Sequence, residues 1–288
     1  MGSLFFCQSD ILAGMGTLYL VGTPIGNLED VSQRALRTLR EVSLIAAEDT
    51  RVTGYLLKHF DIETPLTSYH EHNKQEKLPM LLARLSEQDI ALVSDAGMPG
   101  LSDPGYELVR AAVDQKVTVV PVPGPSAVIT ALVVSGLPSD EFTYLGFLPR
   151  RRSARRTALE HIAHETRTLI CYETPHRLLA ALADIDEILG ARPMAVAREL
   201  TKLYEDVQRG TPAGLIDHFS QEPPKGEITL VIGGARPEEI SWSDEAIVAE
   251  IGKRLAEGDS LSAAARKVAE ISGRPRREVY ELGLGARE

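Results

Sequence analysis

Ser94-Asp95-Ala96-Gly97-Met98-Pro99-Gly100-Leu101-Ser102-Asp103-Pro104-Gly105 reads as a loop set between a strand and a helix. The apolar run Ile90-Ala91-Leu92-Val93 precedes it, and a helical pattern from Tyr106 to Val113 follows. Gly97, Pro99, Gly100 and Pro104 punctuate it, and Asp95 and Asp103 add carboxylates. Glycine permits sharp turns and lets a ligand approach the backbone. In open α/β sheets, ligands bind outside the carboxyl ends of the strands. The loop is therefore read as part of a small-molecule cofactor site. An ordinary strand-to-helix connection with an N-cap satisfies the same spacing.

Outward from this loop, the same alternation repeats. Thr17-Leu18-Tyr19-Leu20-Val21, Leu44-Ile45-Ala46-Ala47, Leu66-Thr67-Ser68-Tyr69 and Val117-Thr118-Val119-Val120 are short apolar strands. Helical patterns begin after Ser32, around Tyr55-Leu56-Leu57, over Leu78–Leu85 and over Val128–Val134, with Pro125 near the start of the last. Strands alternating with helices imply a mostly parallel sheet covered on both faces. Gly136-Leu137-Pro138-Ser139-Asp140 marks a boundary. Beyond it come strand patterns at Phe142–Phe147, Thr168–Tyr172, Met194–Ala197 and Glu227–Ile232, with Leu203–Gln208 as a pairing candidate. After Pro237, three short helices are expected at Asp244–Ala256, Leu261–Ile271 and Pro275–Leu282, a helix-turn-helix-like bundle. The division is thus an extension at 1–15, α/β domains at 16–137 and 138–236, and a helical module at 237–288.

The chain has 288 residues, 43% of them hydrophobic and 25% charged, enough to bury more than one core. Its net charge of -10 speaks against a protein that coats nucleic acid non-specifically, since phosphates are neutralised by Lys and Arg. A local basic patch is compatible with it, and Arg150, Arg151, Arg152, Arg155 and Arg156 cluster in one short stretch. They are read as RNA-facing, and a hinge clamped by intramolecular carboxylates is the competing account. In the helical module, basic and acidic residues nearly balance, yet Arg266, Lys267, Arg274, Arg276 and Arg277 lie close enough in sequence to form a stripe. Two cysteines, Cys7 and Cys171, show no disulfide or metal spacing, which fits a reducing cytoplasm. No apolar run approaches the about 18 residues of a membrane span. The dinucleotide, P-loop and G-x-S-x-G signatures are absent.

Several stretches together carry a family resemblance. Gly22-Thr23-Pro24-Ile25-Gly26-Asn27-Leu28, Ala47-Glu48-Asp49-Thr50-Arg51, Ser68-Tyr69-His70-Glu71-His72-Asn73, the loop around Asp95, and Pro123-Gly124-Pro125-Ser126-Ala127 resemble the tetrapyrrole methylase superfamily. Tyr172-Glu173-Thr174-Pro175-His176-Arg177 and Ala197-Arg198-Glu199-Leu200-Thr201-Lys202 look like the ribosomal RNA small subunit methyltransferase I family within it. The resemblance spans about residues 16 to 235, and the helical tail is similar to that family's C-terminal module. At Met98-Pro99-Gly100 the chain departs from the family's usual Thr-Pro.

The resemblance implies two α/β domains with S-adenosylmethionine in the cleft between them, a homodimer, and no metal. The implied activity is 2′-O-methylation of a cytidine ribose in 16S ribosomal RNA near the decoding centre, on naked RNA or a 30S particle. Its implied cofactor contacts are Pro24, Asp95, Ala96, Gly97, Gly100, Ser126, Ala127, Tyr172, Glu173 and Leu200, with Gly226 as an addition. A ribose hydroxyl needs a base as its bond to carbon forms, and Asp49, Glu71, Glu199, His70 and His72 are the candidates. Asp49 with Arg51, and Glu199 with Lys202, are assigned to catalysis, although Asp49 is also a good N-cap and Glu199 a good ion-pair partner. His70, Glu71, His72 and Asn73 are assigned to the RNA. Two other functions remain open at this point: methylation of a tetrapyrrole, and a non-enzymatic RNA-binding assembly factor on the same fold.

Overall fold

The computed structural model describes residues 15–101, 105–236 and 242–285. The extension with Cys7, the carboxylate Asp103 and the turn at Pro237 lie outside the described residues. The first half contains β1 (Thr17–Val21), α1 (Gln33–Glu41), β2 (Leu44–Ala47), α2 (Thr50–His59), β3 (Leu66–Ser68), α3 (Lys74–Leu85), β4 (Ile90–Val93), α4 (Tyr106–Asp114) and β5 (Thr118–Val122). These strands form one parallel sheet in the order β3-β2-β4-β1-β5. Strands β2 and β4 are buried at every position, as their unbroken apolar runs require when helices cover both faces. Side chains alternate across the pleat. Ile45, Ala47, Ala91 and Val93 meet α1 and α2 on one face, and Leu44, Ala46, Ile90 and Leu92 meet α3 and α4 on the other.

The second half contains α5 (Ala127–Ser135), β6 (Phe142–Phe147), α6 (Arg152–His161), β7 (Thr168–Glu173), α7 (Pro175–Leu189), β8 (Met194–Arg198), β9 (Asp206–Gly210), α8 (Pro212–Gln221) and β10 (Ile228–Ile232). Its sheet runs β6-β7-β10-β8-β9. Only β6 and β7 are parallel; the remaining pairs are antiparallel. Helices α6, α7 and α8 cover one face through Leu159, Leu178, Leu182, Leu215 and Phe219. The other face carries α5, whose Val128, Ala131 and Leu132 pack on Ile170, Ala195, Ala197 and Val231. The helix that precedes the boundary at 137 therefore packs on the sheet that follows it.

Helices α9 (Asp244–Ala256), α10 (Leu261–Ser272) and α11 (Arg276–Gly285) form the C-terminal module. Ser243 and Ser260 cap the first two through their hydroxyls. Ile247, Ile251, Ala265, Val268 and Val279 make its core. The basic stripe expected here is largely neutralised. Arg274 pairs with Asp244 and Glu278, Lys267 with Asp259, and Arg277 with Glu281.

Candidate active site

Three strand-end loops of the first sheet are joined at the backbone. Thr23 and Gly97 exchange both of their N–H···O bonds, at 2.9 and 3.1 Å. The Thr23 hydroxyl also donates to the Ser94 carbonyl at 3.1 Å. Gly22 and Gly124 meet back to back: a Cβ built on Gly124 falls 2.8 Å from the Gly22 carbonyl carbon. The loops after β1, β4 and β5 thus form one platform. Gly97 and Gly100 hold φ of 81° and 87°, the left-handed turns that glycine adopts without strain.

Above this platform lies a cleft of about 330 Å³ between the two sheets. Ile25, Glu48, Asp95, Ala96, Gly97, Met98, Leu101, Ser126 and Ala127 line it from one side. Phe147, Tyr172, Glu173, Thr174, Pro175 and the start of β10 with Gly226 and Glu227 line the other. Tyr172 meets the rings of Tyr144 and Phe147 at centroid distances of 5.5 and 5.3 Å. Ser126 occupies the N-cap of α5 without a side-chain capping bond, and it lines the cavity together with Ala127, the first residue of that helix. Among the described residues, four carboxylates, Glu48, Asp95, Glu173 and Glu227, line the cleft, and no Lys or Arg does.

Of the expected cofactor contacts, Asp95, Ala96, Gly97, Ser126, Ala127, Tyr172, Glu173 and Gly226 fall on this lining. Pro24 does not; it lines a neighbouring cavity of about 140 Å³ whose wall also includes Thr53, Tyr55 and Asp95. Leu200 is a core residue beside Ile25. Gly100 is exposed and lies outside the lining. Glu48, Met98, Phe147 and Glu227 were not among the expected residues. The Ala47-Glu48-Asp49 stretch offered a signal for Glu48, because adjacent residues at a strand end point to different sides.

Asp49 serves the helix behind it. Its carboxylate is the N-cap of α2, accepting the Arg51 N–H at 2.8 Å and forked by the Arg51 guanidinium at 2.6 Å. The Arg51 hydrogen bonds hold the Asp49 carboxyl down to about 2, far below the range of a useful proton acceptor at neutral pH. Glu48 is placed otherwise. Burial pushes its carboxyl above the ordinary value; the Asp95 N–H pulls it back, and the charges of Asp95 and Asp49 add to the rise.

Glu199 and Lys202 latch two loops together. Glu199 has φ of 50° and Thr201 φ of 66°, strained for residues with side chains. The Glu199 carboxylate accepts the Glu227 N–H and the Lys202 ammonium, each at 3.0 Å, and Lys202 also reaches Glu227 at 3.0 Å. Burial raises the Glu199 carboxyl, but these donors outweigh it and hold it below the ordinary value. Gly226 leaves room for that carboxylate: a Cβ there would lie 2.0 Å from Oε1. Gly26 leaves room for Lys202 in the same way, at 2.4 Å from its Cγ. The loop after β1 therefore seats directly on the loop after β8. Gly226→Ala is expected to displace Glu199, release Lys202 from Glu227 and lower the affinity for the cleft's ligand by about tenfold, which calorimetry on the folded variant measures.

The arginine cluster needs a correction. Arg155 is not on the surface; its side chain is 4% exposed and bonds through Nη2 to Asp184, itself 1% exposed, at 2.6 Å. Arg152 and Arg156 also reach Asp184, and Arg156 pairs with Glu187. The carboxylate clamp holds for Arg155 and Arg156. Arg150 and Arg151 are exposed, with no ion pair among the described residues. The His70–Asn73 cluster also has a structural account: Asn73 Oδ1 accepts the His70 N–H at 2.8 Å and its amide donates to Ser68. Glu71 and His72 are exposed, and Lys74 is held by Glu71 and Glu107. Among the described residues, no group of three or more His, Cys, Asp or Glu side chains is placed to hold a metal ion.

Comparison with known proteins places this geometry. Residues 17–215 match the family model described as tetrapyrrole (corrin/porphyrin) methylases, and residues 243–287 match the one described as the RsmI C-terminal HTH domain. The chain is 51% identical over 273 residues to the ribosomal RNA small subunit methyltransferase I of Synechocystis sp., covering 94% of this chain and 98% of that protein. It is 48% identical over 276 residues to the protein of the same name from Escherichia coli O157:H7, covering 93% and 95%. Among solved structures, a cobalt precorrin-4 methyltransferase aligns with a TM-score of 0.58 at 16% identity, over 75% of this chain and 94% of that one. A conserved hypothetical protein from Aeropyrum pernix K1 aligns with a TM-score of 0.60 at 16% identity, over 95% and 97%. At that identity, the structural likeness speaks for the fold.

Proposed function

The chain belongs to the ribosomal RNA small subunit methyltransferase I family within the tetrapyrrole methylases, and on that premise we propose that it methylates the 2′-hydroxyl of a cytidine ribose in 16S ribosomal RNA near the decoding centre, using S-adenosylmethionine. The observation that carries this reading is the cleft itself: apolar walls, a helix N-terminus and four carboxylates with no lining cation. That donor set fits a ligand with an aromatic base, a carboxylate and two positive centres. When bound, S-adenosylmethionine supplies an electrophilic methyl group on a cationic sulfur.

The chain does the rest. Ile25, Met98, Leu101 and Phe147 give the adenosyl group apolar walls and exclude water. The N-terminus of α5 suits the ligand's carboxylate. Asp95, Glu173 and Glu227 complement its positive charge. The joined loops fix all of these before the acceptor arrives, and positioning is what an in-line displacement needs most.

Arg150 and Arg151 are exposed, lie three and four positions after the cleft residue Phe147, and suit RNA phosphates. Reversing both to Glu is expected to weaken RNA binding and to lower the slope of log affinity against log salt by about 2. Titrations across a salt series read this directly; parallel wild-type and variant lines would remove both residues from the interface. The chain is also read as a homodimer working in the cytoplasm. Helix α5 leaves Ile129 and Val133 exposed one turn apart, an apolar stripe for a second copy to cover. Sedimentation at graded concentrations tests it.

The function is tested by mapping ribose methylation in 16S RNA from cells lacking this chain. Their 30S particles are then offered to the purified protein with S-adenosylmethionine, with a porphyrinoid precursor offered in parallel. One cytidine 2′-O-methyl group is expected to be missing and then restored. Transfer to the porphyrinoid alone would replace the ribosomal reading with a tetrapyrrole one.

A further inference from the structure

We propose that Glu48, and not the adjacent Asp49, is the general base that takes the proton of the acceptor hydroxyl; the inference rests on the methyl-transfer reading above. Glu48 stands at the carboxyl end of β2, half-buried, and lines the cleft. A cross-brace between neighbouring strand ends fixes it. Glu48 Oε2 accepts the Asp95 N–H at 3.3 Å, and Asp95 Oδ1 in turn accepts the Asp49 N–H at 2.9 Å. One long hydrogen bond orients the carboxylate and leaves Oε1 without a partner among the described residues.

The other cleft carboxylates are engaged. Glu173 accepts the Thr174 N–H at 2.7 Å through one oxygen and Arg177 at 2.8 Å through the other. Glu227 holds Lys202. Asp95 is more exposed and carries the Asp49 N–H. Asp49 itself faces Arg51 and the start of α2.

His70 gives this assignment a second support. It sits just past β3, the next strand outward from β2. Its Nδ1 is buried with no hydrogen-bond partner among the described residues, which is rare for a buried polar atom. His72 packs against it with ring centroids 6.1 Å apart. The carboxyl ends of β3, β2 and β4, neighbours in the sheet, thus carry an imidazole, a weakly tethered carboxylate and a second carboxylate, and the two carboxylates line the cleft.

In the reaction, Glu48 takes the hydroxyl proton as the new oxygen–carbon bond forms. The electron pair of the broken carbon–sulfur bond stays on sulfur, which becomes a neutral thioether. The glutamate ends protonated and passes its proton to solvent. Burial, Asp95 and Asp49 raise the Glu48 carboxyl, while the Asp95 N–H and His70 lower it, and the net direction is upward. The base form is the carboxylate, so the rate falls as pH drops through this raised value.

The test is single-turnover methyl transfer to 30S particles lacking the modification, with S-adenosylmethionine and particles saturating, from about pH 5 to 9. For Glu48→Gln, a rate about 10²- to 10⁴-fold lower is expected, with the acidic limb of the profile gone and cofactor affinity by calorimetry unchanged. Glu48→Asp is expected to restore part of the rate and the limb. If Glu48→Gln keeps the limb, or loses cofactor affinity in step with rate, Glu48 is a binding residue and the assignment fails. If Asp95→Asn removes the limb and Glu48→Gln does not, the base is Asp95. If the wild-type protein binds cofactor but methylates no particle, the methyl-transfer reading falls and takes this one with it.

Discussion

Asp184→Ala is expected to lower the stability of the second lobe by about 3–5 kcal/mol, the scale seen when one partner of a buried ion pair is removed. Asp184 lies on α7 with its side chain 1% exposed, and three arginines of α6 converge on it. Arg155 donates through Nε at 2.8 Å and Nη2 at 2.6 Å, and Arg152 through Nε at 3.1 Å. Truncating the aspartate strands the buried Arg155 guanidinium in the interior. The Arg155→Met, Asp184→Leu double variant removes both charges together and should lose much less. Glu187→Ala is expected to leave stability almost unchanged, because Glu187 is 57% exposed and its pairing is screened by solvent.

Urea unfolding of these variants measures the ordering, and pH supplies an independent check. Burial alone would raise the Asp184 carboxyl, but hydrogen bonds from Arg155 and Arg152 outweigh it, so the folded state holds it below its unfolded value. Such a group stabilises fully above its unfolded value, near about 3.9, and that stabilisation is lost as pH falls through the lower folded value. The stability gap between wild type and Asp184→Ala is therefore expected to be flat at neutral pH and to close in acid. A gap independent of pH would show that the charge on Asp184 is immaterial.

The second large effect is expected at Gly124. A methyl group there meets the carbon, Cα and oxygen of Gly22 at 2.8–2.9 Å, all of them backbone. Nothing flexible can yield, so the loops after β1 and β5 must separate. Overpacking of this kind costs about 1–3 kcal/mol. The larger consequence is for binding, because Ser126 and Ala127 follow directly and line the cleft. Gly124→Ala is expected to weaken S-adenosylmethionine binding by more than about tenfold while the far-ultraviolet circular dichroism stays native. Gly252→Ala is the matched control: it sits inside α9 with open space around it, and alanine there should stabilise the helix by about 0.5–1 kcal/mol. Equal binding by wild type and Gly124→Ala would mean that the two loops move independently of the site.

The first sheet was legible because its strands are buried on both faces. Ile90-Ala91-Leu92-Val93 and Leu44-Ile45-Ala46-Ala47 contain no polar residue, and a run with no polar residue has few other places to go. The helical module was legible because the turn residues Gly258-Asp259-Ser260 and Ser272-Gly273-Arg274-Pro275 separate its helical runs. Strand direction in the second sheet was not, since β7, β8 and β10 read alike whichever way they run. The antiparallel β8–β9 pair follows from the tight turn at Glu199–Glu205, which rests on two strained residues that carry no composition signal. At the site, the loops were legible and the individual carboxylates were not. Glu48 and Asp49 are neighbours with opposite fates, one facing the cleft and the other closing a helix. Arg155 was misread for a similar reason. Its partner Asp184 lies 29 positions further on, and only the packing of α6 on α7 brings the two together.

Helix α5 carries a consequence for the chain's history. It is reached through the first sheet's last strand, yet it roofs the second sheet. The short segment leading into it touches Gly22. A crossover at 137 would seat one parent's α5 on the other parent's sheet, and a crossover at 123 would set one parent's Gly22 against the other's Gly124. Chimeras of two relatives are therefore expected to fold best when only the terminal three-helix cap is exchanged.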